Sequence, residues 1–225
     1  TRMGFVAPIY AYITSDSPQA DTFNVALTDE FYQNNVNQVF QWGLRNGDKP
    51  WPVEVFATMF GKPRISAEVN TETVGSIIVA DLNDNNIEAV TYHYDPKNLE
   101  AENDRDVKLA FNVDKPVGTT FYYRKILAAP ENHAFYNFMK QPSADSWLKT
   151  DANYYNKYGA PNIVLNETGT THWESYLNPK PMAWTEWQSA TTVARTDDKS
   201  GSQVNISSVL PLFSFEKTQI KWTAN

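Results

Sequence analysis

The chain has 225 residues, with 19 Lys+Arg against 26 Asp+Glu and a formal net charge of −7; such a balance repels polyanions at long range and argues against nucleic acid or anionic lipid as the main partner. It contains 0 Cys, which excludes disulfide frameworks, thiol catalysis and thiolate metal sites. Aromatic residues make up 14% and charged residues only 20%, the profile of short strands joined by turns rather than of a helical bundle.

Residues 5–13 (FVAPIYAYI) are apolar and β-prone, and Pro8 confines them to a sheet edge or a strand start. Ser15-Asp16-Ser17-Pro18 reads as the turn that closes them. Residues 22–28 read as a second strand, with Thr28-Asp29-Glu30 capping a single helical turn. Next, Val36, Phe40, Trp42 and Leu44 alternate with Asn37, Gln41 and Arg45, with Gln38 the one exception on the apolar face, the period of a strand with one buried side. Asn46-Gly47-Asp48 supplies the positive-φ residues of a tight reversal. Val53, Val55, Ala57 and Met59 then form the returning arm of that hairpin. A second hairpin runs through residues 75–82 and 87–94, turning at 83–86. Residues 97–106 are charged and predict a short exposed helix or loop.

Val107, Leu109, Phe111 and Val113 alternate with polar neighbours as another half-buried strand. Residues 119–127 (TTFYYRKIL) predict a strand covered on both faces. From Pro130 the texture changes. A short helix there would place Ala134, Phe135, Phe138 and Met139 on one face, ending at Gln141-Pro142. Beyond it, Trp and Tyr stand among Asn and Pro with little periodicity, as long loops would. Residues 190–196 and 203–209 predict a third hairpin around 197–201, and residues 213–222 a final strand. Turn signals recur about every 8–12 residues. The expected fold is all-β, an antiparallel β-sandwich or jelly roll with long aromatic-rich loops and one to three short helices. A single domain spans 1–225, with residues 130–189 as a loop-rich insertion over the sheet scaffold.

Chemistry is sparse. The three histidines, His93, His133 and His172, lack the spacing of a zinc site, and there is no nucleophile motif of the G-x-S-x-G kind. Only 9 Gly and no Gly-rich loop argue against a nucleotide fold. In residues 170–176 (TTHWESY), a strand would put His172 and Glu174 on one face, as an acid/base pair requires. Glu174 and Glu186, the latter between Trp184 and Trp187, would then be the two carboxylates of a glycoside hydrolase. Asp81, Asn83 and Asn85 outline a weak calcium loop, but its sixth position is Asn86 rather than Gly and its twelfth is Tyr92 rather than an acid. A hairpin turn explains the same residues.

Trp173, Trp184, Trp187, Tyr154, Tyr155 and Tyr158 are the expected ligand-binding rings, able to stack on sugars or on a protein surface. The competing reading for each ring is a core position under the loops. The reading favoured is a non-enzymatic recognition or assembly protein: lectin-like, adhesin-like, or a virion or appendage component. It would be extracellular or virion-associated, homo-oligomeric or part of a larger assembly, free of cofactor, and would bind carbohydrate or protein. One alternative is a carbohydrate-active enzyme using Glu174, Glu186 and His172. The other is a β-rich secreted or crystal-forming toxin that oligomerises on membranes. No apolar run reaches the roughly 20 residues of a membrane helix.

Overall fold

Strand pairing begins with the clearest hairpin, β2 (Val74–Asp81) and β3 (Asn86–His93). Its turn is closed by Asn85 at φ 49°, a left-handed conformation that Asn tolerates better than most residues. The computed structural model describes residues 18–34, 55–65, 73–81, 85–95, 97, 103–155, 161–195 and 200–222. The hairpin sits in an antiparallel six-stranded sheet of order β1-β2-β3-β11-β5-β8. Its remaining strands are β1 (Arg64–Ile65), β5 (Thr120–Ala128), β8 (Gln188–Thr191) and β11 (Ser214–Lys221). An antiparallel three-stranded sheet, β4-β10-β9, is built from β4 (Arg105–Val113), β9 (Val193–Ala194) and β10 (Ser202–Leu210). A two-stranded sheet pairs β6 (Leu148–Tyr155) with β7 (Pro161–Leu165). The described structure is mostly antiparallel strand with few helices, the all-β class expected.

The period-2 alternation of these strands sorts their side chains between two cores. Ile78, Ala80, Ile87, Ala89, Phe121 and Ile220 of the large sheet meet Leu109, Phe111, Val204 and Ile206 of the small one. On the opposite face of the large sheet, Ile77, Val79, Val90, Ala128 and Phe215 pack under Val25 of α1 (Pro18–Gln33) and under Val55 and Met59. Tyr92 reaches α1 from that face, donating from its hydroxyl to Asp29 Oδ2 at 3.0 Å. Arg64 holds the other carboxylate oxygen at 2.5 Å. Gly75 makes room for this ring, because a Cβ there would lie 2.1 Å from it.

Between β5 and β8 the chain forms a small lobe. It contains 3₁₀ turns at Pro130–Asn132 and Ala144–Trp147, α2 (Ala134–Met139), β6, β7 and α3 (Glu167–Glu174). Phe138 and Trp147 stack at 4.7 Å in its centre, and Trp173 and Tyr176 pack edge-on against Phe138 at 5.2 and 5.3 Å.

Four local expectations are corrected, the last of them in part. Residues 22–28 lie within α1 and are not a strand. Asp21, Val25 and Asp29 recur every four residues on its buried face, a helical stripe disguised by two buried carboxylates. Residues 55–57 are helical and 58–61 a turn, so Val55 and Met59 pack on the sheet without joining it. The other arm, 36–45, lies outside the described residues, as do 5–13. Residues 167–174 are α3, capped where Asn166 Oδ1 accepts from Gly169 N at 2.8 Å. On a helix, His172 and Glu174 project about 200° apart rather than to one face. The third expected hairpin is also split, since β8 pairs with β5 while β9 pairs with β10.

Candidate functional site

The rings singled out in the sequence divide into two groups. Trp173 belongs to the lobe, 5.3 Å from Phe135 at 85° and 5.2 Å from Phe138. His172 stands exposed with its ring 4.9 Å from Trp147, and Glu174 is exposed at the end of α3. Trp184 and Trp187 lie on the large sheet. Trp184 bridges Ile126, Thr185 N donates to Lys125 O at 2.8 Å, and Lys125 N donates to Thr185 Oγ1 at 3.0 Å. The strip 184–187 thereby continues the β8 edge beside β5. Glu186 is exposed on that strip. Tyr154 and Tyr155 end β6, and Tyr158 lies outside the described residues.

Both indoles of the strip meet one cation. The Arg124 guanidinium lies 4.4 Å from the Trp184 ring and 4.9 Å from the Trp187 ring, and Lys221 Nζ is 3.9 Å from Trp187. Arg124 Nε donates to Gln219 Oε1 at 2.8 Å. The register explains the assembly, since Arg124 pairs with Gln219 and Tyr122 with Lys221 across β5 and β11. All four therefore share the face of the large sheet turned away from the small sheet. Trp187 is 39% and Tyr122 41% exposed, so the surface reaches solvent. Arg124, Gln219, Lys221 and Tyr122 were not singled out in the sequence. Tyr122 and Arg124 stood in a segment read as covered on both faces, and Gln219 and Lys221 in the final strand, with nothing local to join the two pairs.

Three other polar clusters are closed upon themselves. Glu88, 1% exposed, receives Lys217 Nζ at 2.6 Å, Lys62 Nζ at 2.5 Å and Thr58 Oγ1 at 2.5 Å. Burial alone would raise its carboxyl, but these donors pull it down to about 2. Burial depresses the Lys217 ammonium, against the pull of Glu88. Asp21 faces His133 Nε2 at 3.4 Å, its carboxyl raised by burial against the opposing pull of that imidazole. His93, depressed by burial, bonds Leu210 O through Nδ1 at 3.1 Å. A more open groove of about 500 Å³ runs between β4–β10 and β5–β11. Of its two lysines, Lys108 and Lys125, the second is occupied by Ser207 O, Ser208 Oγ and Glu216 Oε1 at 2.5, 2.6 and 3.6 Å.

Among the described residues no three His, Cys, Asp or Glu gather as a metal site. Asp81 ends β2 and Asn85 closes the hairpin turn, its carbonyl accepting from Trp222 N at 3.3 Å. Asn83 lies outside the described residues. No helix among them is long and apolar enough to cross a membrane.

No protein-family model matches the chain. It is 25% identical over 220 residues to the α-1,4-L-rhamnosidase of Formosa agariphila, which covers 94% of this chain and 34% of the relative. The chain thus spans about a third of the length of that curated relative. A monomeric β-xylosidase from Caulobacter crescentus has the similar fold, with a TM-score of 0.56 at 11% identity over 93% of this chain and 42% of that one. A GH30 endoxylanase from Clostridium papyrosolvens is a looser likeness, with a TM-score of 0.41 at 11% identity over 94% of this chain and 40% of that one. The rhamnosidase similarity, running nearly end to end, overturns the expected non-enzymatic recognition or assembly protein, with its lectin-like, adhesin-like and virion variants. The aromatic loop surface that carried that expectation is also divided, with Trp173 packed into the lobe core and apart from the Trp184–Trp187 strip.

Proposed function

We propose that this chain is an antiparallel β-sandwich module of a carbohydrate-active enzyme that cleaves glycosidic bonds. The observation that carries the reading is the 220-residue similarity to an α-1,4-L-rhamnosidase. The fold likeness to a β-xylosidase supports it, as does the core shared by the large and small sheets. The lobe is an insertion in this module. β5 and β8 are antiparallel neighbours, so the chain leaves one sheet edge after Ala128 and returns to it at Trp184.

A glycosidase's general acid is tuned by apolar surroundings, and the acid faces a second carboxylate across the scissile bond. Glu174 and Glu186 stand exposed on separate elements. Neither environment is that of a buried general acid, so neither Glu174 nor Glu186 is assigned to the acid–base pair, and the chain takes an architectural and sugar-contacting role. The test is an assay of the native protein carrying this sequence on aryl α-L-rhamnosides, aryl β-xylosides and a polysaccharide panel. Glycoside release is expected, and Glu174→Gln and Glu186→Gln should leave it within about twofold of wild type. A loss of about 100-fold or more in either variant, the scale of general acid–base catalysis, reassigns the chemistry to that residue. No release from any substrate overturns the enzymatic reading.

A further inference from the structure

We infer that the Trp184–Arg124–Trp187–Lys221 ladder is a subsite for an acidic sugar residue, one carrying a ring carboxylate. The inference rests on the carbohydrate-active reading and adds a chemical class of substrate to it.

Charge is the first argument. The other cations on this side of the large sheet and its cover are neutralised, with Lys62 and Lys217 on Glu88 and Arg64 on Asp29. Arg124 and Lys221 meet no carboxylate within ion-pair distance among the described residues, although the chain carries seven more acids than bases, 26 against 19. Glu186, next in sequence to Trp187, does not fill the gap. Two neighbouring cations repel one another, and an anion that reaches both relieves that repulsion.

Preorganisation is the second argument. The bond to Gln219 Oε1 fixes Nε of Arg124, and two indoles lie against its guanidinium. Fixing the plane leaves the Nη hydrogens as a two-pronged donor, and a planar carboxylate accepts such a pair side by side. Lys221 adds a second charge at 3.9 Å from the Trp187 ring. Exposed Tyr122 supplies an apolar face on which a pyranose ring stacks. A neutral sugar would use that face and leave both cations idle.

Calorimetric titration of the native protein with tetragalacturonide, xylotetraose and a sulfated galactan tetrasaccharide tests this. Tetragalacturonide should bind at least about tenfold more tightly than xylotetraose, and Arg124→Gln should remove at least about tenfold of that affinity, as loss of a charge-assisted pair does. Lys221→Gln, at an exposed side chain, should weaken binding about threefold without disturbing the fold. Equal affinity for the neutral sugar, no binding at all, or unchanged binding in both variants overturns the subsite. Equal or tighter binding of the sulfated sugar overturns the carboxylate assignment. Aryl-glycoside turnover, measured in parallel, keeps the two readings apart. Intact turnover without charge-dependent binding sinks the subsite alone, and charge-dependent binding without turnover sinks the enzymatic reading.

Discussion

Strand β11 carries two lysines on the same face, four residues apart, and the fold treats them in opposite ways. Lys217 is 2% exposed and lies under the segment 55–62, where Glu88, Thr58 and the Val55 carbonyl receive its ammonium group. Lys221 is exposed, and its nearest charge partner is the π-face of Trp187. Burying an ammonium costs several kcal/mol unless a carboxylate and hydrogen bonds go with it, so the covered half of the face needed an acid from β3. The open half had no such requirement and kept its cations unneutralised. A cation matched by an acid holds the fold together, and one matched only by rings is still able to bind something.

The largest expected effect breaks the covered half. Glu88→Ala strands Lys217 and Lys62 without their shared carboxylate, and unfolding in urea should show a loss of about 3–5 kcal/mol. Glu88→Leu combined with Lys217→Met should recover most of it, since an apolar pair of similar volume removes both desolvation costs. A double variant as unstable as Glu88→Ala would mean that the ion pair itself, rather than the cost of orphaning one member, holds the segment 55–62 in place.

Acid sharpens the same contrast. The folded Glu88 carboxyl is lowered from 4.5 to about 2, so it contributes stability above pH 4.5 that is lost as pH falls towards 2. The loss is about 3 kcal/mol, from roughly 1.4 kcal/mol for each pH unit. Stability curves of wild type and Glu88→Gln between pH 2 and pH 6 should converge at the acid end by that amount. Parallel curves would remove Glu88 as the titrating group.

What was legible in the sequence divides along the same line of covered and open surface. Strand β4 was readable because one of its faces is apolar at period 2, as Leu109 and Phe111 show, and the hairpin β2–β3 because two apolar runs flank an Asn-rich turn. Helix α1 was not, because Asp21 and Asp29 sit on its buried face and satisfy themselves against His133, Arg64 and Tyr92, all distant in sequence. Helix α3 was misread for a local reason. Gly169 is there because a Cβ would lie 2.7 Å from Trp147, and Gly within a Thr-rich run does not look helical. The indoles of Trp184 and Trp187 stand out in any composition. The cations they meet do not, because the Arg124–Gln219 bond spans 95 residues and the Lys125–Thr185 bond 60, distances over which no periodicity reports.

A smaller effect tests the link between the cover and the charge. Thr58 donates to Glu88 Oε2 and accepts from Lys217 Nζ, both at 2.5 Å. Thr58→Val keeps the shape and removes both bonds, and about 1–3 kcal/mol should be lost in urea unfolding. Hydrogen exchange should locate the loosening in residues 55–62 while β3 and β11 stay protected. Uniform loosening across the sheet would show that the cover and the sheet unfold as one unit.

The smallest expected effect is the counterpart on the open half. Lys221→Gln removes a cation that touches an indole face and no carboxylate, and cation–π contacts at exposed sites are worth about 0.5–1 kcal/mol. Part of that is returned, because Lys221 no longer repels Arg124 across Trp187. Urea unfolding should therefore place Lys221→Gln within about 0.5 kcal/mol of wild type, an order of magnitude below Glu88→Ala on the other half of the same face. A loss of 2 kcal/mol or more would make the ladder a structural clasp like the Glu88 cluster. Its aromatic rings would then be there to pack, and its unmatched cations would need no ligand to explain them.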